Sequence, residues 1–275
     1  DDERWCWRHS AQTQNIVYFW EKPFGDNPQN PPSLEGKPMK FDLGNLQTQV
    51  ERFYRFFRDT LKFSLPGSIC DKYKMMVMVN YSLEGTAYGG TYDDFIGALW
   101  VTPNRIQDQK LKCLAHELGH SFQLQIMADK TGEAWGGSGF FEMTSQWMLW
   151  RVNPDWITDE KYHFDAFRQL THKGYLHLDN IYHSPYVIEW WAEKHGLESI
   201  AQLYREGKVG EDRPVTLVTY FSGGADQGTL FLCKGAAFKE AYLKDAVNRG
   251  AVAYVSEKEY EAGKEIPALI VNDAR

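Results

Sequence analysis

CLAHELGHSFQ, Cys113–Gln123, is the stretch on which the reading of this chain turns. It lies in an apolar-periodic run from about Asp108 to Asp129, which predicts a helix. On a wheel of about 100° per residue, Leu111, Leu114, Ala115, Leu118, Phe122 and Ile126 form one stripe. That stripe suffices to dock the helix on a core. His116 and His120 fall about 40° apart on another side, one turn from each other. Core packing on the stripe does not account for them. Two imidazoles so placed can hold one metal ion, and Glu117 flanks them within reach of a water on such an ion. The bland alternative is an amphipathic helix with two surface histidines.

A third ligand separates the two readings, because catalytic zinc takes three protein ligands and keeps one position open. The extended pattern H-E-x-x-H-x-x-G-x-x-H is absent: Gln123 stands at its glycine, and no histidine follows His120 before Tyr162. The carboxylates on offer are Asp129, at the end of the same helix, Glu133, in the loop KTGEAWGGSG, and Glu142. Glu142 opens a second helix predicted over Phe140–Val152, stopped by Asn153-Pro154. The chain between His120 and Glu142 is long enough for a helix end, a loop and a helix packed back on the first.

HELGH and FEMTSQ together resemble the gluzincin arrangement of thermolysin-like zinc peptidases, whose third ligand is a glutamate within N-E-x-x-S-D. Here the second motif reads Phe141-Glu142-x-x-Ser145-Gln146. The glutamate and serine match, Phe141 replaces the asparagine, and Gln146 replaces the aspartate that orients a zinc-bound histidine. An amide oxygen can still accept an imidazole N–H, with less charge. The longer strings AHELGHSFQ, FFEMTSQWMLW and NIYHSPYVIEWW resemble a family of little-characterised, largely bacterial secreted domains regarded as metallopeptidases. The resemblance implies zinc held by His116, His120 and Glu142, hydrolysis of peptide bonds in proteins or glycoproteins, and a secreted, periplasmic or cell-surface setting. Glu117 is then the general base. Developing negative charge needs a donor, and YLHLDNIYHSPY (Tyr175–Tyr186) is dense in candidates, of which Tyr182 and His183 precede a helix start.

Around these motifs the chain reads as α+β. NIVYFW (Asn15–Trp20), KMMVMVNY (Lys74–Tyr81) and FIGALWVTP (Phe95–Pro103) are strands, and Leu43–Phe63 is an amphipathic helix. EGTAYGGTYDD (Glu84–Asp94) reads as a glycine-rich turn. In zincin folds a strand in the position of Gly90–Val101 is the sheet edge that pairs with an extended substrate. Helices are expected at about Asp159–His172, Ser184–Gly196, Leu197–Glu206 and Phe231–Asn248, with strand character in the closing segment. The expectation is one zincin-like domain of two lobes. The first, about 1–130, is a mixed sheet with helices and the active-site helix; the second, about 131–275, is mainly helical and carries the third ligand.

Composition bounds the partners. The 275 residues are 43% hydrophobic and 24% charged, as in a soluble globular protein. A net charge of −7 without a Lys/Arg cluster argues against nucleic acid. No apolar run approaches the roughly 20 residues needed to span a bilayer. The opening DDERWCWRH carries no signal pattern, so either no export signal ever preceded it or one has been removed. Cys6, Cys70, Cys113 and Cys233 are scattered and read as free thiols. The aromatic content, with Trp 10, Tyr 15 and Phe 16, keeps open a different class: a catalytically weak or inactive binding module on a zincin scaffold, taking glycan or protein. A metal-free interaction protein is the third reading.

Overall fold

Apolar strands that alternate with helices in this chain bury one sheet face under the histidine helix. The computed structural model describes residues 4–207, 215, 217–235 and 237–272. The chain forms two compact units, Asp1–Val209 and Gly210–Arg275. The first contains β1 (Ser10–Gln12), β2 (Ile16–Trp20), α1 (Leu43–Arg55), β3 (Met75–Val79), β4 (Ala87–Tyr92), β5 (Ile96–Val101), α2 (Lys112–Ala128) and α3 (Gly139–Val152). The shorter helices α4 (Trp156–Asp159), α5 (Tyr162–Gln169), α6 (Tyr186–His195) and α7 (Ser199–Glu206) complete it.

The first unit's sheet runs in the order β1-β2-β3-β5-β4. Its inner strands β2, β3 and β5 are parallel, and β1 and β4 join antiparallel at the edges. IVYFW and MMVMV are nearly continuous apolar runs, as strands covered on both faces require. Tyr18, Val77 and Leu99 stand in register across the sheet and are fully buried. α1 starts at Asp42, whose carboxylate accepts the Asn45 N–H at 2.9 Å, and buries Leu46, Val50 and Phe53. Phe122 of α2 meets the rings of Tyr54 and Phe57 at 5.1 and 5.8 Å, joining the two helices in one core.

Every residue of the predicted α2 stripe, Leu111 to Ile126, is at most 1% exposed. The opposite face is not on the surface, however: His116 and His120 are buried too, because α3 packs over them. Gly119, between the histidines, permits this approach. A Cβ there would lie 2.4 Å from Ser145 Oγ of α3.

Four expectations are corrected. The segment Glu84–Asp94 is not simply a turn: Ala87–Tyr92 of it forms β4. β5 is therefore interior, between β3 and β4, and β4 is the edge strand. The second compact unit begins at Gly210, beyond the boundary expected near 130, and is not mainly helical. It holds β6 (Leu217–Thr219), β7 (Thr229–Leu232), α8 (Glu240–Asn248), β8 (Ala251–Ser256) and β9 (Ala268–Ile270), an all-parallel sheet in the order β6-β7-β8-β9. Phe231, where a helix was expected to begin, lies in β7 and packs with Leu243, Ala246 and Tyr254. The mixed α+β class holds for the chain. Among the described residues no helix is long and apolar enough to cross a membrane, and all four cysteines are free.

Candidate metal centre

The i, i+4 spacing on α2 sets His116 and His120 side by side, with ring centroids 4.6 Å apart and planes at 90°. Their Nε2 atoms are 3.0 Å apart. α3 delivers the third group. Ser138 caps it by accepting the Phe141 N–H at 3.2 Å, which places Glu142 in the first turn. Glu142 Oε2 lies 3.2 Å from each Nε2. Asp129 and Glu133 are engaged elsewhere: Asp129 accepts the Ile69 N–H at 2.9 Å, and Glu133 the Ala134 N–H at 2.8 Å.

Two glutamine amides fix the histidine tautomers. Gln146 Oε1 is 2.8 Å from His116 Nδ1, and Gln123 Oε1 is 2.9 Å from His120 Nδ1. The amide orientation is dictated on the far side, where each Nε2 meets a backbone carbonyl: Gln146 donates to Tyr182 O at 3.0 Å, Gln123 to Phe141 O at 2.9 Å. Carbonyls only accept, so the amide oxygens face the imidazoles and only accept as well. Both Nδ1 atoms must then donate. In the neutral rings both Nε2 lone pairs consequently point at one another and at the Glu142 carboxylate. Such a convergence repels itself until a cation, a proton or a metal, enters it.

The donors fit zinc. Zinc–ligand bonds of about 2.0–2.1 Å put tetrahedral ligands about 3.3 Å apart, and the three donors here are separated by 3.0, 3.2 and 3.2 Å. Two imidazole nitrogens and one carboxylate oxygen match the donor types of catalytic zinc, and all three residues line the cleft. His116, His120 and Glu142 form a possible metal-binding group among the described residues. Burial works to raise the pKa of Glu142. The hydrogen bonds and charges of His116 and His120 outweigh it and hold the carboxyl well below the usual carboxylate range.

Glu117 turns the other way, toward the sheet edge. Its Oε2 accepts the Gly89 N–H of β4 at 2.8 Å. Burial pushes its pKa up, opposed by the charge of His116 and by that hydrogen bond. β4 lies so close to α2 here that a Cβ on Gly89 would fall 1.8 Å from Glu117 O. Gly89 thus serves contact with the helix.

Of the two sequence candidates for an oxyanion donor, the structure brings only Tyr182 to the centre. Its ring lies 5.9 Å from that of His116. Burial, then the charge of Glu142 and a hydrogen bond to it, push its hydroxyl up to about 12. His183 points away and meets His163, Nδ1 to Nδ1, at 2.6 Å. Phe141, in place of the expected asparagine, stacks on His120 at 4.1 Å and 14°, and Ser145 Oγ donates to His116 O. Sequence reasoning missed Gln123, although its i, i+3 spacing from His120 is a legible signal, and Tyr204, whose hydroxyl accepts from Gln123 Nε2 at 2.9 Å. A cleft of about 840 Å³ opens over the centre, lined among others by Gly89, Arg105, Glu117, Glu160 and Tyr182.

Comparison with known proteins gives a family without an assigned activity. The profile of the family of unknown function DUF6055 matches residues 1–230, and the chain belongs to that family. Curated relatives match shorter stretches. The UDP-N-acetylmuramyl-tripeptide synthetase of Limosilactobacillus reuteri is 44% identical over 81 residues, 30% of this chain and 14% of that protein. The UDP-N-acetylmuramoyl-L-alanyl-D-glutamate–L-lysine ligase of Streptococcus pneumoniae is 48% identical over 58 residues, 21% of this chain and 12% of the ligase. The chain thus spans between 12% and 14% of the length of these two relatives. No solved structure matches.

Proposed function

We propose that this member of the family is a zinc-dependent metallopeptidase of gluzincin type, hydrolysing peptide bonds of proteins or glycoproteins. One observation carries the proposal: two imidazole Nε2 atoms and a carboxylate oxygen converge within 3.2 Å while glutamine amides hold both Nδ1 atoms as donors. His116, His120 and Glu142 hold the metal. Bound zinc supplies Lewis acidity, which makes water a competent nucleophile near neutral pH and polarises a carbonyl. Glu117, half-buried and of raised pKa, takes the proton of the attacking water and returns it to the leaving amine. Tyr182, protonated at neutral pH, donates to the developing oxyanion. β4 supplies a sheet edge along which an extended peptide can pair by main-chain hydrogen bonds. The zincin-like architecture and an exported setting belong to the same proposal.

The neutral partners of both histidines favour a second reading. An amide makes a zinc-bound imidazole less basic than a carboxylate does, which suits a zincin scaffold that binds glycan or protein with weak catalysis. Incubation of the zinc-supplemented protein with a mixed peptide library, read by mass spectrometry, separates the two. Cleavage abolished by chelator supports the peptidase. Binding without cleavage supports the module.

A further inference from the structure

Beside the metal centre, the cleft wall carries two cations, Lys112 and Arg105. Lys112 is neutralised, with Nζ 3.4 Å from Glu160 and 3.5 Å from Asp159. Arg105 is not. Its Nε donates to Gly85 O at 2.6 Å, which anchors the guanidinium at the turn before β4. No carboxylate lies within ion-pair distance of it among the described residues, and its two Nη groups have no partner there. Its charge nevertheless reaches Glu117 and Cys113, both on the cleft side of α2. A guanidinium with one edge anchored and the other free is preorganised for a planar anion.

The position along the sheet edge gives this direction. Gly85 precedes β4, Arg105 follows β5, and Ala87 pairs with Val101 at that end of the hairpin. Gly89, bonded to Glu117, marks the level of the chemistry further along β4. In the antiparallel pair, Thr86 O and Tyr92 O are turned toward β5, so Ala87, Gly89 and Thr91 carry the outward-facing main-chain groups. A peptide laid along that edge passes Glu117 and then meets Arg105 on the Ala87 side.

We infer that Arg105 selects substrates bearing a carboxylate on the Ala87 side of the cleaved bond, supplied by an Asp or Glu side chain or by the chain's own C-terminal carboxylate. The inference rests on the peptidase reading for the cleaved bond, and on geometry alone for the binding preference. Arg105 is a specificity-determining residue: it touches the substrate away from the reacting atoms.

The test uses octapeptides carrying Glu, Gln or Lys at each position in turn, each with a free or an amidated C terminus. They are offered to the zinc-supplemented wild type and to Arg105→Ala and Arg105→Glu. The wild type is expected to favour carboxylate over amide by about tenfold in kcat/KM at one fixed distance from the bond, and less at high salt, since the guanidinium is exposed. A preference that follows Glu identifies a side chain as the source; one that follows the free terminus identifies the α-carboxylate. Arg105→Ala abolishes the difference, and Arg105→Glu transfers it to peptides with lysine there, a gain that misfolding cannot produce. Cleavage by the wild type without the preference, or with a preference that survives Arg105→Ala, overturns the inference and leaves the peptidase standing. If no peptide is cleaved, the peptidase reading falls, and binding decides. The same Glu/Gln and free/amidated pairs are titrated against Glu117→Gln with zinc present. About tenfold tighter binding of the carboxylate peptide, lost on adding Arg105→Ala, upholds the inference; equal binding ends it.

Discussion

Replacing Gln146 with methionine, of similar volume, removes the acceptor from His116 Nδ1 and the donor to Tyr182 O while keeping the space filled. The consequences for the metal-free and metal-bound protein have opposite character. Without metal, the wild-type amide forces two lone pairs together at 3.0 Å. In Gln146→Met the His116 proton moves to Nε2, where it bonds to Glu142 or His120, so the conflict is relieved. The loss of the amide's hydrogen bonds, about 1 kcal/mol each, is partly offset, and metal-free stability changes little. With zinc, His116 must present Nε2 and bury an Nδ1–H that has no acceptor. Loss of such an orienting partner weakens zinc by about 10- to 100-fold, or about 1.4–2.7 kcal/mol. At saturating zinc the same energy is lost from the metal-linked stabilisation. For a unit of this size it corresponds to about 3–10 °C of Tm. Competition titration with a chromophoric chelator reads the affinity, and thermal unfolding with and without zinc reads the linkage. Wild-type zinc affinity and an undiminished zinc-induced rise in Tm would refute the tautomer argument.

Other outcomes test separate parts of the account. Glu117→Gln is expected to retain zinc and lose about 10²- to 10⁴-fold in kcat, because the amide cannot take a proton; metal analysis alongside peptide turnover checks both halves. Tyr182→Phe should lower kcat about 10- to 100-fold with KM little changed, as expected for a donor used mainly in the transition state; an equal rise in KM would reassign the hydroxyl to substrate binding. Gly119→Ala places a Cβ 2.4 Å from Ser145 Oγ, so α3 must shift. Denaturant unfolding should show a loss of about 1–3 kcal/mol, and the zinc affinity should fall with it because Glu142 rides on α3.

The parts of the fold that were legible in the sequence are those where one periodicity decides. The α2 stripe was readable because six apolar residues repeat at helical spacing, and all six are core. Glu142 was readable because its motif sits in the first turn of a capped helix. β4 was not. Its glycines lower strand propensity and look like turn residues, yet one of them, Gly89, permits contact with α2, a tertiary requirement that spacing does not carry. Phe231 illustrates another limit, since a four-residue apolar strand running into helix-compatible sequence has no distinct period. His183 shows a third. It is adjacent to Tyr182 in sequence, but successive side chains leave a turn in different directions, and His163 of α5 is there to meet it.

If His116, His120 and Glu142 together hold one zinc ion, the zinc content of the dialysed protein must depend on Glu142, and metal analysis of the wild type beside Glu142→Ala reads this. One zinc per chain is expected in the wild type and a loss in the variant, with the fold retained by circular dichroism. Full zinc retention in Glu142→Ala, or a wild type that takes up no zinc, would contradict it.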